Sequence, residues 1–492
     1  MKSSEVSVLA FDFGASSGRA VLGMFDGNKI TVQEVHRFPN DPVLLADTLY
    51  WDFHRLFFEL TQGLTKGKAV ADFCSTGIDT WGVDFALLRK DGSLAGMPVH
   101  YRDKRTEPAF KEALHAIDAG KLYGITGVQL MPINTVFQLY ALRQQRPFLL
   151  DEAEHLLCMP DLFNYFLTGK KRTELSIAST TQLLDIGERK WSMEVMKALH
   201  IPERLFTDII PSGTQVGKLR ASVCEGLTGR PVTVTAVCGH DTQSAVAAVP
   251  AAEEDFLFIS CGTWSLFGTE RREPVISPQS AAYNITNEIG YGGTVNFLKN
   301  CTGLWLIQES RRQWLREGKS YSFAGLEAEA QKAMPFRSFI NPGAADFGQQ
   351  GNMPERIRAY CKRTGQPIPE SDGEVMQCIY QSLAFQYKKT LEEIETCTGI
   401  RYPCIYMVGG GIQDRYLCRL TADACGRPVV AGPVEASALG NIAVQLIAAG
   451  ALSGIKEARR IIAASFPPLR YEPTQSAGWE SQYARFLSAC ME

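Results

Sequence analysis

The segment Cys238-Gly239-His240-Asp241-Thr242-Gln243-Ser244 places one carboxylate where a β-branched run, Pro231 to Gly239, gives way to an alanine-rich helix start. A carboxylate there, beside glycine and a hydroxyl, suits a general base that takes a proton from a substrate hydroxyl. It equally suits a helix N-cap, whose oxygen accepts a backbone N–H and does no chemistry. His240 has no His or Cys partner at metal spacing and does not read as a zinc ligand. A second segment, Asp12-Phe13-Gly14-Ala15-Ser16-Ser17-Gly18-Arg19, packs small residues and hydroxyls into a tight turn. Such a loop wraps phosphate oxygens, because glycine lets the backbone approach and each N–H points at the anion. Asp12, at the strand end, is placed to hold a magnesium ion through water. An ordinary hairpin turn uses the same residues. The echo at Ser260-Cys261-Gly262-Thr263 favours the phosphate reading, since two such hairpin loops facing each other clamp a polyphosphate.

Asp79-Thr80-Trp81-Gly82-Val83-Asp84 sets two carboxylates beside an indole. Hydroxyl-binding oxygens next to an aromatic face suit a sugar; a buried strand-turn with a satisfied aspartate reads the same way. Asn300, Trp305 and Gln308 either line a cleft or form the polar side of a helix start. Other motifs fail. Gly14, Ser16 and Gly18 match G-x-S-x-G, but that nucleophile elbow needs a following helix, and here alternation leads to an Asp26-Gly27 turn. Gly318-Lys319-Ser320 lacks the first P-loop glycine, where Gln313 stands, and Gly409-x-Gly411 meets Asp414 where a dinucleotide fingerprint needs glycine.

These residues must be carried by elements that the patterning predicts. Val6 to Phe11, Arg19 to Phe25 and Lys29 to Val32 read as a hairpin and a third strand. Asp52 to Gly63 has helical spacing, with Phe53, Leu56, Phe57, Leu60 and Leu64 on one face. Alternation after Trp81 and the Lys90-Asp91-Gly92 turn suggest a strand pair. Residues from about Glu107 to Thr168 read as helical, broken at Pro132, Pro147 and Pro160. Phe256 to Ser260 and Trp264 to Gly268 form a second hairpin like that of residues 6–25. This weak internal repeat predicts two halves built alike, 1–245 and 246–492. Ile405 to Val408, followed by Gly409-Gly410-Gly411, reads as strand, glycine-rich turn and helix.

The 492 residues are long enough for two or three domains. A formal net charge of −3 argues against a nucleic-acid partner, and 45% hydrophobic against 21% charged residues fits packed cores rather than disorder. There is no apolar run of the ~18–20 residues that span a bilayer and no signal-peptide pattern, so a cytoplasmic location without membrane association is the expectation. The 13 cysteines are scattered and never C-x-x-C, and read as reduced small hydrophobes; Cys361 and Cys378 could sit close enough to pair, but nothing in the sequence compels it.

In order along nearly the whole chain, these segments resemble the FGGY carbohydrate kinases. The matching motifs are Asp12 to Arg19, Gly77 to Asp84, Tyr101-Arg102-Asp103, Met159-Pro160-Asp161-Leu162, Gly239-His240-Asp241-Thr242 and Gly262-Thr263-Trp264-Ser265. Lys299-Asn300, Gly409-Gly410-Gly411 and Ala431 to Asn441 complete the series. The resemblance implies an α/β fold of the duplicated actin/hexokinase-like, ribonuclease H-like type: a two-domain ATPase fold, sugar-binding in the first half and nucleotide-binding in the second, with ATP and sugar in a central cleft. It implies transfer of the γ-phosphoryl group of MgATP to the 1-hydroxyl of L-rhamnulose, in rhamnose degradation. In that reading Asp241 is the base, with His240 and Thr242 on the sugar beside it. Gly82, Asn300, Trp81 and Asp84 meet the substrate. Ala15, Ser16, Ser17, Gly18, Arg19 and Thr263 approach the phosphates, Gln308 and Gly410 contact the nucleotide, and Asp12 holds the metal. Many members carry Thr directly after the first loop's glycine; here Ala15 stands there, and Ser16 or Ser17 would supply the hydroxyl. A kinase for another ketose, L-fuculose or L-xylulose, and an actin-like assembly ATPase are the competing readings.

Overall fold

A computed structural model describes residues 5–474 and 478–490. The chain divides into two compact units. The first comprises residues 1–254, 270–297 and 436–466; the second comprises 255–269, 298–435 and 467–492. The sequence repeat predicts a single cut near residue 245, whereas the compact units interleave. One physical reason is the helix Ala436–Ala448, which is buried on nearly every side. A helix apolar all round is stable only inside a core. Its Gln445 and Asn441 amides donate to the carbonyls of Leu9 and Gly77, so it belongs with the first unit's strands.

In the first unit, β1 (Val6–Phe13), β2 (Ser17–Phe25) and β3 (Ile30–Pro39) form an antiparallel meander. β4 (Ser75–Thr80) runs parallel to β1, β6 (Thr233–Ala236) parallel to β4, and β5 (Thr214–Lys218) closes the edge antiparallel to β6. The order is β3-β2-β1-β4-β6-β5. In the second unit, β7 (Leu257–Cys261) and β8 (Trp264–Arg271) make the antiparallel hairpin, and β9 (Val295–Thr302) lies beside β8. β10 (Ile405–Val408) runs parallel to β7, β11 (Val429–Ala431) parallel to β10, and β12 (Leu469–Tyr471) antiparallel to β11. A further strand, Thr286–Ile289, lies beside β9; the order β9-β8-β7-β10-β11-β12 repeats that of the first unit's sheet, and from β8 to β12 the strands run in the same senses. The duplication glimpsed in two hairpins thus extends over six strands.

The predicted helix at Asp52 runs over Phe53–Val70, and its buried stripe Phe53, Leu56, Leu60 and Leu64 joins Phe11, Phe13 and Phe163 in the first unit's core. Phe57 is only half-buried. The strand pair expected after Trp81 forms differently. Phe85–Leu88 touches Leu94 through a single bridge and takes His155–Cys158 as its partner, inside the stretch expected to be helical. The helical run is broken at Pro147 and Pro160 as expected, and each of these prolines sits in the first turn of the next helix, where no N–H is needed. Among the described residues no helix is long and apolar enough to cross a membrane. All 13 cysteines are free; Cys361 and Cys378 lie thiol against thiol without a bond.

Candidate active site

Parallel pairing of β1 with β4 sets Asp12 opposite Asp79, and antiparallel pairing of β1 with β2 sets Asp12 opposite Arg19. Thr80 bridges in parallel to His240, its N–H donating to the Gly239 carbonyl at 2.9 Å. Three neighbouring strands therefore deliver Asp12, Asp79 and Asp241 at their carboxyl ends, where open α/β sheets place their ligands. The Arg19 guanidinium binds Asp12 Oδ2 at 2.8 Å. Asp79 is fully buried; its Oδ2 accepts the Asn441 amide at 2.6 Å, while its Oδ1 has no hydrogen-bond partner. Burial, and then the Asp12 charge, push the Asp79 carboxyl well up.

Asp241 is the first residue of the helix Asp241–Ala247, with His240 at the cap position, and no side chain caps this helix. The carboxylate is therefore released from the N-cap role that the sequence left open. Its side chain keeps 28% exposure, and Thr242 Oγ1 donates to its Oδ1 at 3.2 Å. Enclosure by protein, reinforced by Asp12, raises its pKa to about 6, with His240 pulling the other way. A carboxylate poised near neutrality and still accessible has the properties of a general base. The Gly239 N–H ahead of it is fixed by Glu174 Oε2 at 2.9 Å, and the Glu174 N–H by Asp161 Oδ1 at 3.1 Å. That gives the Met159-Pro160-Asp161 motif a supporting role two hydrogen bonds from the turn that carries Asp241.

The loop after β1 closes through Gly14 N–H to Ser17 O at 3.0 Å and is tied down by the Asn40 amide on Gly14 O at 2.8 Å. Ala15 and Ser16 stand exposed at its tip, Ser17 is half-exposed, and Gly18 is buried. β2 follows directly, so the loop is a hairpin turn and no nucleophile elbow.

Asp84, expected at the sugar, is 0% exposed. Its Oδ2 accepts the Trp51 indole at 2.6 Å, the Trp81 indole at 3.0 Å and the Tyr101 N–H at 3.1 Å, and its Oδ1 the Gln138 amide at 2.9 Å. Its acceptor sites are used by the protein itself, which makes it a brace for the aromatic stack. Burial lifts its pKa to about 6 against the pull of those donors. Trp81 stacks on Trp51 at 3.9 Å between ring centres, and Trp51 on His100 at 4.1 Å. Gly82 is half-buried beside Thr180. The next residue, Val83, has φ +66°, a costly conformation for a β-branched residue. Thr180 Oγ1 accepts its N–H at 3.1 Å and Thr135 Oγ1 donates to its carbonyl at 2.5 Å, which holds the turn. Thr180, Thr135, Trp51, Gln138 and Glu174 lie outside the motifs read from the sequence, and only the fold reveals them.

In the second unit, the turn between β7 and β8 receives the N–H groups of Gly303, Leu304 and Trp305 on the carbonyls of Gly262 and Thr263. Thr263 Oγ1 donates to Gln308 Oε1 at 3.3 Å, which joins two of the expected nucleotide contacts. Asn300 is on β9, not at a helix start, and Trp305 opens the helix Trp305–Arg316, its indole donating to the Phe347 carbonyl. After β10, Gly409 takes φ +89° and a Cβ on Gly411 would lie 2.3 Å from Cys261 Sγ, so the turn folds tightly onto β7. Gly410 is exposed with open space where a side chain would stand. A glycine there lets a flat ligand approach the backbone.

The chain matches the N-terminal domain of the FGGY family of carbohydrate kinases over residues 7–248 and the family's C-terminal domain over residues 257–449. The chain belongs to the FGGY family of carbohydrate kinases. As a carbohydrate kinase it moves a phosphoryl group from ATP to a sugar. It is 40% identical to a rhamnulokinase of Bacteroides thetaiotaomicron over 482 residues, covering 97% of this chain and 98% of the relative. It is 42% identical to a rhamnulokinase of Enterococcus faecalis over 468 residues, covering 94% of each. Among solved structures, a gluconate kinase from Lactobacillus acidophilus superposes with a TM-score of 0.81 at 16% identity, over 98% of this kinase and 97% of that chain. The shared fold is the duplicated two-domain α/β arrangement seen here in the two matching strand orders.

Proposed function

We propose that this kinase transfers the γ-phosphoryl group of ATP to the 1-hydroxyl of L-rhamnulose, giving L-rhamnulose 1-phosphate and ADP. The observation that carries the reading is the near-full-length identity of about 40% to rhamnulokinases, joined to one accessible carboxylate, Asp241, at the carboxyl end of the first unit's sheet. Asp241 takes the proton of the 1-hydroxyl as the sugar oxygen bonds to the γ-phosphorus and the bond to the β-phosphate oxygen breaks. His240 and Thr242 bind sugar hydroxyls beside it. Gly82, Trp81 and Asn300 shape the sugar subsite, with Asp84 acting through the indoles it holds. Ala15 to Arg19 and Thr263 donate to phosphate oxygens, and Gln308 and Gly410 meet the nucleotide. In this reading residues 1–245 carry the base and most of the sugar contacts, and residues 246–492 carry the nucleotide contacts Thr263, Gln308 and Gly410.

Magnesium fits the first unit's chemistry. Asp12 pairs with the Arg19 guanidinium, and Asp79, opposite Asp12 on the next strand, has an Oδ1 without a partner. Among the described residues no three such side chains converge on one ion. That suits a cation which keeps most of its waters and leans on substrate phosphates. Asp12 would hold it, and its charge would offset that of the transferring phosphoryl group. A cytoplasmic setting and a monomeric or oligomeric form are not needed for this chemistry.

The test is ADP release coupled to a reporter, with MgATP and a panel of L-rhamnulose, L-fuculose, L-xylulose and glycerol. Selective turnover of L-rhamnulose is the expected result. Preference for another ketose moves the substrate assignment, and ATP hydrolysis indifferent to every sugar removes the sugar-kinase reading.

A further inference from the structure

His240 is held from behind. Its Nδ1 lies 2.9 Å from Glu288 Oε2, on the strand Thr286–Ile289, and its Nε2 lies 3.5 Å from Asp241 Oδ1. The same Glu288 oxygen accepts the Gln243 amide at 2.7 Å, and Gln243 in turn is bonded by Asn296. Glu288, Gln243 and Asn296 are all buried. A carboxylate has no proton to give at neutral pH, so the Glu288 contact requires Nδ1–H on the imidazole. The other ring nitrogen then faces a second carboxylate, an approach that is attractive only when Nε2 also carries a proton.

The geometry points to Glu288 as a positioning residue for phosphoryl transfer: by accepting the Nδ1 proton it holds His240 as an imidazolium with Nε2–H turned to Asp241, and so keeps the base ionised. This rests on the assignment of Asp241 as the base. The surrounding charges agree. Burial works against a charged imidazole, but Glu288, then Asp241 and Glu174, outweigh it and raise the His240 pKa. Asp241 in turn is pushed up by burial and by Asp12, and His240 is the charged group that opposes them. Of the elements packed on the helix Asp241–Ala247, β4 contributes Asp79, the turn at 291–293 contributes Tyr291, and the helix Ala436–Ala448 contributes no titratable side chain. His240 is therefore a second cation, beside Arg19, among these acids, and Glu288 is what keeps it one. No atoms are exchanged in the resting arrangement. During turnover the substrate proton goes to Asp241, and the imidazolium stays protonated.

The test uses the whole protein and two readouts. In nitrogen-15 NMR of the imidazole, assigned with His240→Gln, both His240 nitrogens should carry protons at pH 7 in the unaltered protein and one should lose its proton in Glu288→Gln. In the pH profile of kcat/KM for L-rhamnulose, Glu288→Gln should move the acidic limb upward, so that the loss at pH 6 exceeds the loss at pH 8 about tenfold, with Glu288→Asp recovering part of it. A neutral His240 at pH 7 in the unaltered protein overturns the proposal. So does an equal loss of rate at every pH with an unchanged His240 signal, which is what a merely structural glutamate would give. If Glu288→Gln does not fold, the spectrum of the unaltered protein decides alone. If no ketose is turned over, the substrate reading falls, and the NMR arm still decides the role of Glu288.

Discussion

Replacing Asp241 with Asn is expected to stop phosphoryl transfer and, in the same protein, to raise its melting temperature. The structure supplies the magnitude. The Asp241 carboxyl sits at about 6 in the fold against an ordinary value of 3.8. Keeping it ionised at neutral pH then costs the native state about 3 kcal/mol. With 28% of the side chain exposed, solvent screening reduces that to about 1–2 kcal/mol. Asn keeps an oxygen for the Thr242 hydroxyl and drops the charge. The sign follows from proton counts. Between pH 3.8 and about 6 the native state binds the proton that the unfolded chain has lost, so the unaltered protein grows less stable as pH rises through that window. The advantage of the variant is thus complete at pH 7 and fades in acid. Loss of the base should lower kcat by about 10²–10⁴-fold while nucleotide binding persists. The assay is a pair of thermal melts at pH 7 and pH 4, free of nucleotide and with a chelator, beside the coupled ADP assay. A variant that melts lower at pH 7, or keeps its whole advantage at pH 4, would show that Asp241 is not crowded as the geometry implies. Near-normal kcat would remove it as the base.

Three further outcomes follow from the same geometry. For the unaltered enzyme, kcat/KM should fall about tenfold per pH unit below about 6, as Asp241 takes up its proton; a profile flat to pH 4.5 contradicts the assignment. Asp84→Ala strands two buried indole N–H groups, an amide and a backbone N–H; it should cost at least about 3 kcal/mol in denaturant unfolding and raise the sugar KM, with Asp84→Asn milder, and an unchanged midpoint would refute the bracing role. Gly440→Ala would put a Cβ 1.7 Å from the Ser244 carbonyl oxygen. The two helices must separate, so a loss of about 1–3 kcal/mol and a lower kcat are expected, read by melting and by the ADP assay; wild-type stability would mean that the helices are not in that contact.

The hairpins at residues 6–25 and 257–271 were legible because period-2 alternation and Gly or Asp-Gly turns are local signals, and so was the stripe of the helix at Phe53. The motifs around Asp12, Asp241, Thr263 and Gly410 could likewise be marked as candidates, since hairpin loops and strand-end acids are written in adjacent residues. What remained open at Asp241 was whether it capped its helix, and only the backbone conformation placed His240 at the cap and released the carboxylate. Asp84 shows the opposite limit. Its type and spacing suited a sugar, but the four donors that enclose it come from positions 51, 81, 101 and 138, and no local pattern records that convergence. The same holds for Asn441 reaching Asp79, for Glu174 holding Gly239 and for Glu288 behind His240. Each joins strands or helices distant in the chain, so its meaning depends on sheet order and helix return. Residue type and near spacing decided which chemistry this chain carries; long-range packing decided which of its acids are open to a substrate and which are held for the protein's own use.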